Sequence, residues 1–160
     1  MKELLQEAKA LQEQIVADRR YLHQIPEVGM DLPSRQLTSR SACGKWALSP
    51  SLRRDGRGGA PEVHQDGFPR HEASTGVVAT IGSGSPCILL RADFDALPME
   101  ETNGLSFCSK RSCSHMCGHD THAAMLLGAA KLLKDHESEL KGTSSSCSSP
   151  ARRWATAPRP

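Results

Sequence analysis

Ser114-His115-Met116-Cys117-Gly118-His119-Asp120-Thr121-His122 brings three imidazoles, one thiol and one carboxylate into nine residues. Every one of these groups can bind a metal. Cys117 and His119 stand two apart around a glycine, so a bent backbone can turn both side chains toward one point. Thiolate with imidazole suits zinc or another borderline transition metal, and suits calcium or magnesium poorly. A helical pattern begins at once, with apolar residues at Ala123, Ala124, Leu126, Leu127 and Ala130, and Asp120 stands in the position of an N-cap. The stretch reads as a metal site at a loop-to-helix junction.

Outward toward the C-terminus, the helix is expected over 120–140, with Gly142 as its stop. Upstream, Gly76-Val77-Val78-Ala79-Thr80-Ile81-Gly82 is a strand candidate, and Gly82-Ser83-Gly84-Ser85-Pro86 a turn. Cys87-Ile88-Leu89-Leu90-Arg91-Ala92-Asp93 reads as a buried strand. The short connection predicts that the two strands pair antiparallel. Asp93 and Asp95 then fall at the carboxyl end of a strand, where open α/β sheets collect ligands. Residues 2–24 carry Leu4, Leu5, Ala8, Leu11, Ile15 and Leu22 on one stripe and predict an amphipathic helix that stops before Pro26. Such a stripe faces a core or an oligomer seam, and a plain helical interaction protein is one reading of it. His23 near its end reads as a capping or surface histidine.

Two stretches do not fit. Residues 37–73 hold Arg53-Arg54-Asp55-Gly56-Arg57-Gly58-Gly59 and several prolines with no sustained period, and a structureless run of that length is foreign to a compact domain. Residues 144–160 are rich in Ser, Pro and Arg, with no acidic residue after Glu139, and predict a disordered tail. Both have the composition expected of a shifted reading frame, and residues 109–114 resemble a smaller instance. Splicing or truncation is the competing explanation.

Composition bounds the rest. A chain of 160 residues makes one domain with a core. With six aromatics, that core must come from Leu, Ile, Val and Ala. A net charge of +2 implies no nucleic-acid or anionic-membrane partner, and no apolar run approaches a membrane span. A cytoplasmic protein follows as the default, and its six cysteines read as free thiols or ligands.

Arg20-Tyr21-Leu22-His23-Gln24-Ile25-Pro26-Glu27 resembles the opening signature of the N-acyl-amino-acid amidohydrolases, the metallopeptidase family that includes hippurate and auxin-conjugate hydrolases. Thr75-Gly76-Val77-Val78-Ala79 and the run from Leu90-Arg91-Ala92-Asp93-Phe94-Asp95 to Thr102 are similar to two more of its blocks. His115 to Ala123 is similar to its most diagnostic one, and Leu127-Gly128-Ala129-Ala130 continues it. Four blocks in order cover roughly 15–36 and 74–143.

The resemblance implies an α/β fold: a partial mixed sheet with flanking helices, as an incomplete zinc-peptidase-like catalytic domain over 1–143 with exposed sheet edges. It implies Cys117 and His119 as metal ligands, Asp95 as the residue that orients a ligand, and two divalent metal ions, zinc or manganese, in the intact family. Asp93 lies where relatives outside this subgroup use a ligating histidine, and His122 matches a motif position without being read as a ligand. The implied chemistry is metal-assisted hydrolysis of a small N-acyl amino acid, and homo-oligomers are open in intact relatives. The general-base glutamate and further histidine ligands have no counterpart here, where the expected position reads Ser144 to Pro160. The expectation is therefore a chain that does not hydrolyse substrate alone. The alternative is a closed, non-enzymatic zinc module of Cys113, Cys117, His119 and His122.

Overall fold

A computed structural model describes residues 2–28, 50–52 and 76–149. Helix α1 spans Lys2–Ala10 and α2 spans Gln12–Gln24. The single helix expected over 2–24 is thus divided at Leu11, although Leu11 N–H donates to Glu7 O at 3.1 Å and Ile15 N–H to Leu11 O at 2.9 Å across the joint. Strand β1 is Pro50–Leu52, β2 is Val77–Ser83 and β3 is Cys87–Asp93. Helix α3 spans His119–Asp135, a short 3-10 turn follows at Glu137–Glu139, and β4 runs from Gly142 to Ser149. No helix among the described residues is long and apolar enough to cross a membrane.

The sheet order is β1-β2-β4-β3. β2 and β3 are therefore not a hairpin, which corrects the expectation drawn from their short connection. β4 lies between them, antiparallel to β2 from Val77↔Ser148 to Ser83↔Gly142 and parallel to β3 from Cys87↔Thr143 to Asp93↔Ser149. The Gly/Ser/Pro connection is long enough to pass over one intervening strand, two strand spacings or about 10 Å, so turn composition alone does not select the neighbour. The expected disordered tail is corrected as far as Ser149, and 150–160 lie outside the described residues. Gly142 opens a strand rather than stopping a helix, because α3 has already ended at Asp135. Within 37–73, β1 pairs antiparallel with β2, and the rest of that stretch is likewise outside the described residues.

Serine is a poor strand former, and β4 reads Gly-Thr-Ser-Ser-Ser-Cys-Ser-Ser. Its place is set by the backbone, since two flanking strands offer N–H and C=O groups that must be paired. Thr143 N–H donates to Pro86 O at 2.9 Å, and Thr143 Oγ1 donates to Gly84 O at 2.8 Å. Ser144 and Ser146 are buried in positions that a core-facing strand fills with apolar groups, and Ser146 Oγ meets no hydrogen-bond partner among the described residues.

One face of the sheet meets α3. Val77, Ala79 and Ile81 alternate inward and pack with Leu127 and Ala130, with Leu133 and Leu140 at the margin. A second cluster joins α2 to α3 through Leu22, Phe94, Ala123, Ala124 and Ile15. Gly128 permits that approach, because a β-carbon there would stand 2.6 Å from Ile15 Cδ1. β3 is not the fully buried strand expected: Ile88 and Leu89 are 60% and 64% exposed. It is the outer strand among the described residues, and long exposed apolar edges invite association.

His136, just past α3, ties α1 to that helix. Its Nε2 donates to Glu7 Oε2 at 2.7 Å and its Nδ1 to Glu139 Oε1 at 3.0 Å. The hydrogen bond to Glu7, then that to Glu139, raises the imidazole from 6.5 to about 9. A raised folded-state value means the contact is fully favourable below pH 6.5 and is lost as pH rises through about 9. Amide exchange in α1 is therefore expected to quicken relative to α3 over that window, and His136→Gln should remove the difference. An unchanged pH profile in that variant would contradict the contact.

Candidate metal centre

β3 ends at Asp93, and the chain then turns inward through Phe94, Asp95 and Ala96, all buried. Ala96 N–H donates to Glu27 O at 2.7 Å. Leu97 and Ser114 exchange backbone hydrogen bonds of 2.9 and 3.0 Å, and Ser114 Oγ donates to Met99 O at 2.7 Å. This lacing closes the loop on itself and delivers His115–Gly118 to the start of α3. Gly118 has a left-handed backbone (φ 76°), which L side chains resist. Its carbonyl accepts from Thr121 N–H at 3.0 Å and His122 N–H at 3.2 Å. The turn thus places Cys117 just ahead of the helix and His119 as its first residue.

The structure sets Asp95 against His119. Nδ1 of His119 lies 2.9 Å from Asp95 Oδ1 and 3.1 Å from Asp95 O. Asp95 is 3% exposed, so its carboxylate is shielded from competing water. A carboxylate on one ring nitrogen fixes the tautomer and leaves the other nitrogen able to bind a metal. The His119 and His122 rings are 5.9 Å apart between centroids. Cys113 is directed elsewhere, its Sγ donating to Pro26 O at 3.3 Å. Among the described residues no three His, Cys, Asp or Glu side chains converge as a ligand set. The four-ligand module of Cys113, Cys117, His119 and His122 is thereby corrected: its members are all described and do not gather. The spacing that suggested it ignored that Cys113 lies upstream of the bridge at Ser114, facing the end of α2.

Two residues carry more than their sequence suggested. Asp120 is not the N-cap: Gly118 holds that place, with no side-chain cap. The Asp120 side chain is fully buried and accepts from His23 Nδ1 at 2.8 Å and from Arg19 Nε at 2.8 Å. His23 is not at the surface either. It is 4% exposed, and its Nε2 donates to Glu101 Oε1 at 2.9 Å. Burial pushes the Glu101 carboxyl up, but hydrogen bonds from His23, from Ser109 N–H and from Asn103 more than offset it and hold the group below its usual range. The Arg19 and Arg20 guanidinium carbons each lie 5.2 Å from the Phe107 ring centroid. A signal was present in the sequence: Arg19 and His23 lie four apart on α2 and share a face.

The donor chemistry here fits a divalent metal of the zinc type, with one thiol and one carboxylate-supported imidazole on a pinned turn. Residues 89–151 match peptidase family M20/M25/M40. The chain is 37% identical over 131 residues to the IAA-amino acid hydrolase ILR1-like 5 of Arabidopsis thaliana, an alignment covering 81% of this chain and 26% of that protein. It is 39% identical over 135 residues to the N-acetyl-L-cysteine deacetylase of Bacillus subtilis (strain 168), covering 82% and 28%. It thus spans about a quarter of the length of these curated relatives. Among solved structures it is similar to a dinuclear metal-binding peptidase of the M20 family from Bacillus subtilis, with TM-score 0.72 and 32% identity over 89% of this chain and 36% of that one.

Proposed function

We propose that the chain, which matches peptidase family M20/M25/M40 over residues 89–151 and resembles its curated relatives, supplies part of a metal-dependent amidohydrolase centre that releases an amino acid from an N-acyl amino acid. Cys117 and His119 are the ligands, and Asp95 holds His119. The observation that carries the reading is the buried carboxylate on His119 Nδ1, since a ligating histidine gives its other ring N–H to a carboxylate, a backbone carbonyl or water. Bound there, a divalent ion supplies Lewis acidity toward the scissile amide carbonyl and an acidified water. Thiolate with imidazole favours zinc over manganese. The substrate class rests on the relatives, two of which are named for hydrolysing an amino-acid conjugate and deacetylating an N-acetyl amino acid. The proposed setting is cytoplasmic, where thiols such as that of Cys117 stay reduced.

A general base is a separate requirement. The two glutamates that follow α3 do not serve: Glu137 accepts from Gly82 N–H at 3.0 Å and pairs with Lys134, and Glu139 pairs with His136. Both lie at the far end of α3, about 25 Å along the helix from His119. On this reading the residues present bind metal and do not turn substrate over by themselves.

Cobalt(II) titration of the full chain tests the proposal. A thiolate-to-cobalt charge-transfer band is expected, lost in Cys117→Ser and kept in Cys113→Ser. No band, or a band that depends on Cys113 instead, would refute it.

A further inference from the structure

We propose that His23 is a positioning residue, whose bond to Asp120, made by a ring that also holds Glu101, sets the rotation of α3 and so aims His119. The inference rests on the metal-site reading above and adds to it a residue that lies on neither the turn nor the strand that form the site.

Three segments meet on one imidazole. His23 closes α2, Glu101 belongs to the loop between β3 and α3, and Asp120 is the second residue of α3. Contacts of 2.8 and 2.9 Å set its two ring nitrogens against two carboxylates. Its neighbour His115, two residues before Cys117, lies 6.1 Å away between ring centroids.

The rotation argument follows from helix geometry. Consecutive side chains on an α-helix diverge by about 100°. With Asp120 drawn toward α2 by His23 and Arg19, His119 is turned toward the end of β3, where Asp95 accepts its Nδ1 proton. Two anchors on adjacent residues leave the first turn of α3 no freedom to rotate. A single anchor would let His119 swing about its other contacts.

Stability does not account for the arrangement. Buried ionic groups are commonly neutral or unfavourable against apolar replacements of similar volume. Here Asp120 is fully buried, and its Oδ1 meets no hydrogen-bond partner among the described residues, which adds an uncompensated desolvation cost. A device that is costly to bury and that fixes orientation is explained by what it orients.

Two near-isosteric variants separate the bonds. His23→Asn places an amide nitrogen near Nδ1 and keeps the donor to Asp120, whereas His23→Gln places one near Nε2 and keeps only the donor to Glu101. Cobalt(II) affinity, read from the thiolate band, is expected to fall about tenfold in His23→Gln, the lower end of what loss of an outer partner costs. It should stay close to wild type in His23→Asn. The melting temperature of the metal-free protein is measured beside it. Equal cobalt affinity in His23→Gln and wild type would overturn the positioning role while leaving the metal site standing. So would equal losses of affinity in both variants that follow a common fall in melting temperature. A wild-type protein with no thiolate band would overturn the site and this inference together.

Discussion

Gly142→Ala is expected to destabilise the fold by about 3 kcal/mol, through steric overlap and a disfavoured backbone acting together. Gly142 has φ 136°, and a β-carbon there would stand 2.3 Å from Pro86 O and 3.2 Å from Pro86 N. Both are backbone atoms, so no side chain can swing aside. Pro86 O is also the acceptor for Thr143 N–H, the bond that starts the β3–β4 ladder. Relief of the clash therefore requires separating the two strands where their pairing begins. Gly84→Ala is the control. Its φ is 88° with nothing within 4 Å of the added carbon, so only the conformational cost of about 1–2 kcal/mol remains. Chemical denaturation of both variants gives the comparison. If Gly142→Ala is no worse than Gly84→Ala, β4 does not lie against the turn before β3, and the insertion of that strand is wrong.

The same strand marks where reading from sequence stops. The elements that carry their own periodicity were legible: helix within 2–24, helix within 120–140 though it ends early at Asp135, and the strands on either side of the 82–86 turn. Their mutual placement was not. β2 and β3 look like a hairpin because a five-residue Gly/Ser/Pro link suits one, and β4 looks like a tail because Thr143-Ser144-Ser145-Ser146 has neither β-branching enough nor an apolar alternation. Tertiary pairing overrides weak intrinsic preference, and here it does so on both edges of one strand. At the site, the proximity of Cys117 and His119 in the chain was legible, as was the position of Asp95 just past a strand. What escaped was the contact of His23 with Asp120, 97 residues apart. A histidine near a helix end and an aspartate at a helix start each have an ordinary local explanation, and no local pattern says that the two explanations are one. Cys113 shows the opposite error, since sequence spacing drew it into a ligand set from which the bridge at Leu97 and Ser114 directs it away.

Asp95→Ala is expected to weaken metal binding by up to about 100-fold, and Asp95→Asn by about tenfold, the range that loss of a carboxylate behind a ligating histidine produces. The grading follows from the two acceptors at His119 Nδ1. Asp95 Oδ1 at 2.9 Å carries the charge, while Asp95 O at 3.1 Å is backbone and survives either substitution. Asparagine keeps a neutral oxygen near Oδ1, so the ring stays oriented but loses the charged acceptor that raises the basicity of its other nitrogen. Alanine removes the side-chain acceptor entirely and leaves the backbone carbonyl to hold Nδ1. Competition with a chromophoric chelator, using zinc, measures both. Folding is monitored separately, because Asp95 is 3% exposed and its removal vacates a buried position. Should alanine bind zinc as tightly as wild type while remaining folded, His119 is not a ligand, and the carboxylate behind it has only a structural task.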